Sequence, residues 1–192
     1  MKKIIDVSAY QGEIDFAGVA QECDHVILRT TTQNGNIDTR FMENLNGCLQ
    51  SSIETIDGYK FAYAKGYIPA YMEACKTFDT LQELNALRFL NRFWLDLEPI
   101  KGVTHTTEQA NEIIKGYRDA AQDFNVPLGL YFNYSYAKHV IDSYWCILPI
   151  WLARYNKEMG DVSPFTPLLW QYTGSGTCAG IKGNVDVSME IE

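Results

Sequence analysis

The sequence predicts an α/β fold in a single domain, residues 1–192, whose mostly parallel sheet of about eight strands closes into a barrel. Three observations predict it. Strand-like and helix-like stretches alternate through the first two thirds of the chain. The strand-like stretches reach the number that closes a β/α barrel. The chain has 192 residues, short of the ~250 typical of that architecture, so helices must be missing from its final third, where successive strands leave no room for them.

Residues 4–8 read as the first strand and 15–20 as the start of a short helix. Residues 26–30 are β-rich and are followed by a polar run, 31–36, that reads as a loop. Phe41, Leu45, Cys48 and Leu49 recur at helical spacing. Residues 58–64 form a third strand and 72–87 a helix; 92–98 form a fourth strand, stopped by Pro99, which has no N–H for a ladder. Thr106 and Gln109 make a capping box before a helix with Ala110, Ile113, Ile114, Tyr117, Ala120, Ala121 and Phe124 on one face, ended by Asn125 and Pro127. Further strands are expected over 128–133, 150–155, 168–172 and 184–189, with a short helix over 136–144. A glycine-rich turn through Gly174, Gly176, Gly180 and Gly183 joins the last two strands.

Composition excludes several functions. Sixteen Lys+Arg against twenty-four Asp+Glu leave a net charge of −8, the opposite of the basic footprint that nucleic acid requires. The five cysteines show no zinc spacing and are expected to be reduced, buried thiols, and no metal or cofactor is expected. No 18-residue apolar run exists for membrane insertion, and Asp6 interrupts the N-terminal apolar stretch before a signal-peptide core can form. Twelve Tyr and four Trp suit stacking on neutral, ring-shaped ligands as well as core packing.

The chemistry resides in Asp96-Leu97-Glu98 at the end of an apolar strand. Residues i and i+2 of a strand face one side, and in a β/α barrel this end of the strand is the active face. Two neighbouring carboxyl groups cannot ionise independently; repulsion keeps one protonated as a general acid while the other stays charged, the pair of states that glycosidic cleavage requires. Asp6 near the end of the first strand and Asp186 in the last belong to neighbouring strands of a closed barrel, which puts four acids on one rim.

Asp6-Val7-Ser8 with Gln11-Gly12 and Ile14-Asp15-Phe16, then Trp94 to Glu98, Pro149 to Tyr155, Trp170-Gln171-Tyr172 and Gly183 to Asp186 together resemble the ordered motifs of glycoside hydrolase family 25, the muramidases of phage endolysins and bacterial autolysins. The resemblance implies an irregular, helix-poor β/α barrel. It implies hydrolysis of the β-1,4 bond between N-acetylmuramic acid and N-acetylglucosamine in peptidoglycan, with retention and without a cofactor. Glu98 falls on the proton donor, and Asp96, Asp6 and Asp186 on the other active-site acids. Asp96 is either the nucleophile or the group that orients the substrate's acetamido group for attack. The partner implied is the peptidoglycan glycan strand, met by a monomer. The expected route is synthesis in the host cytoplasm and holin-type release, either as a single-domain lysin or as the catalytic part of a longer one.

Candidate sugar contacts are Tyr10, Tyr63, Tyr131, Trp151, Tyr155 and Gln171, of which Trp151 and Tyr155 share a strand face. The resemblance breaks at Lys60, where relatives often carry His; the lysine either pairs with a rim acid or faces outward. Arg29 either offsets the acids or faces solvent. A chitinase-like enzyme of family 18 would need Asp where Trp94 stands, and an inactive carbohydrate-binding relative would have little reason to keep all four acids.

Overall fold

The structure, a computed structural model, describes residues 2–100 and 102–191. The elements are β1 (Lys3–Val7), α1 (Phe16–Glu22), β2 (Cys23–Arg29), α2 (Phe41–Leu49), β3 (Thr55–Phe61), α3 (Tyr67–Glu83), β4 (Phe93–Asp96), α4 (Thr107–Asp123), β5 (Leu128–Asn133), α5 (Tyr134–Val140), β6 (Ile150–Ala153), β7 (Leu169–Gly176) and β8 (Val185–Glu190). The strands close into a barrel in sequence order. No helix among the described residues is long and apolar enough to cross a membrane.

Neighbours from β1 through β7 pair in parallel, whereas β8 runs antiparallel to both β7 and β1. A parallel crossover needs a dozen or more residues. Residues 177–184, between β7 and β8, are too few, so the chain makes a hairpin instead. This reversal brings the start of β8, rather than its end, to the rim where β1 finishes. The structure also departs from the expected glycine-rich turn: Gly174 and Gly176 extend β7 and pair with β8, confining the connection to 177–184.

Strand alternation creates two cores. Ile4, Ile27, Trp94, Tyr131, Trp151, Ala153 and Leu169 fill the barrel interior. Ile5, Val7, Val26, Leu28, Phe93, Leu95, Leu130, Phe132 and Leu152, on the opposite strand faces, pack against the helices. Phe78 of α3 meets Phe93 edge-on with ring centroids 4.9 Å apart and lies 5.6 Å from Phe124 beyond α4.

Several boundaries differ from the expected ones for local reasons. α3 starts at Tyr67, not near 72, because Pro69 sits in its first turn, where a missing N–H breaks no helical bond. It ends at Glu83, close to the left-handed Asn85. β3 covers Thr55–Phe61 rather than 58–64, since its pairing with β2 begins at His25↔Thr55. The expected helix over 136–144 splits into α5, capped by the Asn133 side chain, and a 3₁₀ turn, Ser143–Ile147, capped by Asp142. The predicted capping box of Thr106 and Gln109 is present at the start of α4.

The 177–184 connection lies along α1. The Asp15 N–H donates to Gly180 O at 2.9 Å, and Gly180 has φ +85°. A Cβ at Gly180 would collide with Asp15 O. Gly180→Ala is therefore expected to destabilise the fold by about 2 kcal/mol or more, measured by urea unfolding, because it adds a clash to a backbone conformation that L side chains rarely adopt.

Candidate active site

Asp6 of β1 and Asp186 of β8 are direct partners in an antiparallel pair, so their side chains emerge on the same face, into the barrel mouth. Asp96 ends β4. Glu98 lies beyond the strand, but the Leu97 N–H still donates to Tyr131 O at 3.0 Å, so the alternation continues and Glu98 leaves on the Asp96 side. The structure thus brings the four predicted acids to one rim.

They differ in depth. Asp6 and Asp96 are each only 7% exposed, whereas Glu98 and Asp186 are half-buried. Burial and the charge of Asp186 hold the Asp6 carboxyl well above the usual carboxylate range, against the opposing N–H from Gln171. Burial leaves Asp186 shifted upward as well, so the facing pair resists losing both protons. Asp96 is pushed well up by burial, then by Glu98 and Asp6, and is pulled down by the Arg29 guanidinium. Burial, then Asp186, raises Glu98. The cluster therefore gives up its protons at higher pH than free carboxyl groups would. Arg29 offsets the acids, resolving the choice that its position in the sequence left open.

A polar relay supports Asp6. Gln171 Nε2 donates to Asp6 Oδ1 at 2.8 Å, and Gln171 Oε1 accepts from Tyr131 OH at 2.8 Å and Tyr155 OH at 2.9 Å. Two hydroxyl donors on the amide oxygen direct the amide nitrogen to Asp6. Tyr155 is 54% exposed, and burial together with Asp186 pushes its hydroxyl up to about 12. Tyr131 is buried in the same wall.

Trp151 is 1% exposed, and its indole N–H donates to Ser188 Oγ at 3.0 Å. It packs beneath the acids, 4.4 Å from Tyr131 and 5.9 Å from Trp94 between ring centroids, with no open face for a ligand. Tyr10 follows β1 on a 3₁₀ turn and is 87% exposed. Tyr63 lies beyond β3, its ring 4.8 Å from that of Phe61. Lys60 faces outward between barrel and helices, where its ammonium donates to Thr32 O at 2.9 Å; it does not pair with a rim acid.

Beside Glu98 opens a cleft of about 440 Å³, walled by Pro99, Thr104, Asn133, Tyr136 and His139 among others. The Tyr136 hydroxyl lies 2.8 Å from His105 Nδ1. A cavity of about 480 Å³ bounded by Gln82, Leu87 and Phe124 contains none of the acids.

Tyr136, His105 and Asp57 escaped the sequence reading. Asp57 is fully buried in the barrel and accepts from Trp94 Nε1 at 2.8 Å, while His25 Nε2 lies 3.0 Å away. It holds Trp94, the inward neighbour of Asp96 on β4. Alternation from Tyr59 puts Asp57 on the same face of β3, which begins at Thr55.

The closed barrel gathers four upward-shifted carboxyl groups at its mouth, with Glu98 on the wall of a cleft, and paired carboxyl groups are the chemistry that acid/base cleavage of a glycosidic bond uses. The family model described as Glycosyl hydrolases family 25 matches residues 5–181, and the chain belongs to that family. Membership of family 25 sets aside the family 18 reading. No curated protein sequence matches it significantly. Among solved structures, the modular autolysin LytC from Streptococcus pneumoniae, in complex with a synthetic peptidoglycan ligand, is 25% identical with a TM-score of 0.85, over 97% of this chain and 46% of that one. The chain thus spans about half the length of that autolysin. The spore cortex lytic enzyme SleM of Clostridium perfringens is 22% identical with a TM-score of 0.84, over 97% of this chain and 66% of that one. The catalytic domain of endolysin ply40 from bacteriophage P40 of Listeria monocytogenes is 22% identical with a TM-score of 0.78, over 100% of this chain and 93% of that one. The last two likenesses establish the shared fold.

Proposed function

We propose that the chain hydrolyses peptidoglycan of the bacterial cell wall, cleaving the β-1,4 bond between N-acetylmuramic acid and N-acetylglucosamine with retention of configuration. Glu98 protonates the leaving oxygen and then deprotonates the incoming water; its upward shift and its place on the cleft wall support this role. The likeness to the pneumococcal autolysin supports the substrate class.

The observation that carries the mechanism is Asp96 Oδ1, a buried oxygen without a hydrogen-bond partner. An orphaned acceptor at the base of a site is stabilised by a ligand donor. The acetamido N–H of the substrate is such a donor, and an acetamido group held by Asp96 presents its carbonyl oxygen to the anomeric carbon. This favours substrate-assisted retention over direct attack by Asp96, which sits deeper than Glu98. Asp6 and Asp186 set the charge of the central pair and bind water or acetamido. Tyr10, Tyr63 and Tyr155 offer rings or a hydroxyl at the rim, while Tyr131, Trp151 and Gln171 support the acids from within.

Mass spectrometry of products from purified peptidoglycan tests the reading. Reducing-end N-acetylmuramic acid is expected; reducing-end N-acetylglucosamine or freed stem peptide would overturn it. A covalent sugar adduct trapped on Asp96 would overturn the substrate-assisted route alone.

A further inference from the structure

Two of the five thiols meet. Cys23 opens β2 and Cys178 lies in the 177–184 connection; both are buried, and their Sγ atoms are 3.5 Å apart in a thiol–thiol hydrogen bond. Cys48 is buried elsewhere, under α2, and Cys75 and Cys146 are partly exposed. The connection lies against α1 and the starts of β1 and β2. Besides the thiols, Lys3 Nζ donating to Thr177 O at 3.0 Å and the Asp15–Gly180 backbone bond hold it there. Directly after it come Val185 and Asp186.

We propose that Cys23 and Cys178 form a disulfide under oxidising conditions, a covalent staple that fixes the strap between β7 and β8 to the start of β2 and thereby steadies the strand that carries Asp186. The sulfurs need approach by only about 1.5 Å to reach bonding distance, within reach of side-chain rotation and slight strap movement. The Lys3 ammonium favours the thiolate at either sulfur, which burial opposes, so either can attack first.

With a low-molecular-weight disulfide as oxidant, the thiolate of one cysteine attacks one of its sulfurs, and one small thiol leaves. The other cysteine then loses its proton and attacks the protein sulfur of the mixed disulfide, expelling the second small thiol. Two protein thiols are oxidised by two electrons, and one small disulfide is reduced to two thiols. The staple would close a loop spanning most of the chain, the arrangement in which constraining the unfolded state has the largest effect.

The test uses the full chain with Cys75→Ser and Cys146→Ser, incubated with oxidised glutathione. Peptide mass spectrometry is expected to find Cys23 linked to Cys178, and Tm to rise by roughly 4–15 °C, reversibly with reductant. The rise should vanish in both Cys23→Ser and Cys178→Ser. An intact dithiol after prolonged exposure, or a link that leaves Tm unchanged or lowers it, would overturn the proposal. The peptide link is read without either Cys23 or Cys178 variant, so poor folding of one of these leaves the test decisive. Cleavage activity plays no part in it, so it stands or falls separately from the proposed function.

Discussion

Glu98→Gln is expected to lower turnover on purified cell walls by about 10³-fold or more while the protein stays folded, because the amide is isosteric but has no proton to give the leaving oxygen. Wall-clearing rates paired with calorimetry at pH 7 measure both effects. The wild-type carboxyl is shifted upward by burial and by Asp186, so removing its charge relieves repulsion, and the Tm of the variant should equal or exceed that of wild type. The same shift sets the direction of the pH profile. Activity that needs protonated Glu98 persists to higher pH than an ordinary glutamate would allow, and declines as pH rises through its folded-state value. Near-normal lysis by the variant would remove the central assignment.

Asp96→Asn carries the second large effect, an activity loss of about 10²-fold or more accompanied by a pH-dependent gain in stability. Burial, Glu98 and Asp6 raise the folded-state value of Asp96. Its stability contribution is therefore complete below the unfolded-state value of about 3.9, and is lost as pH rises through the folded one. Asparagine is neutral throughout. Thermal unfolding should show little difference between variant and wild type near pH 3, and a variant Tm higher by roughly 2–8 °C at pH 8. A difference independent of pH would mean that the gain comes from packing rather than from a buried charge. Asp6→Asn should follow the same sign, since Asp6 is also raised by burial and by a neighbouring acid.

The pairing of lost function with gained stability is what a cluster of like charges in a closed barrel entails. Arg29 relieves part of the repulsion at Asp96. The remaining unfavourable energy holds carboxyl protons to higher pH than free groups would keep them, the direction a general acid requires.

Much of this site is legible in local pattern. The two-residue period places Asp96 and Glu98 on one side whether or not the strand formally includes Glu98. Thr106 and Gln109 mark the start of α4 because a capping box needs only four consecutive residues. Trp151 and Tyr155 show where such reasoning stops. Alternation assigns both to one face, yet Trp151 is sealed beneath the acids while Tyr155, past the end of β6 at Ala153, is half open at the rim, because alternation specifies a face and neither where the strand stops nor a depth along the barrel axis. Lys60 poses the complementary problem: alternation separates it from Tyr59, but which of the two enters the barrel depends on what packs outside.

The sequence by itself determined the order of strands and helices, the absence of late helices, the carboxyl pair ending β4 and the family to which those motifs point, because each rests on short-range periodicity or on ordered local motifs. Only the tertiary structure decided that β8 runs antiparallel, that Asp6 and Asp186 therefore face each other, that the Arg29 charge reaches Asp96, and that Cys23 meets Cys178. These depend on closing the barrel between residues at opposite ends of the chain, and the direction of that last strand follows from a connection too short to cross over.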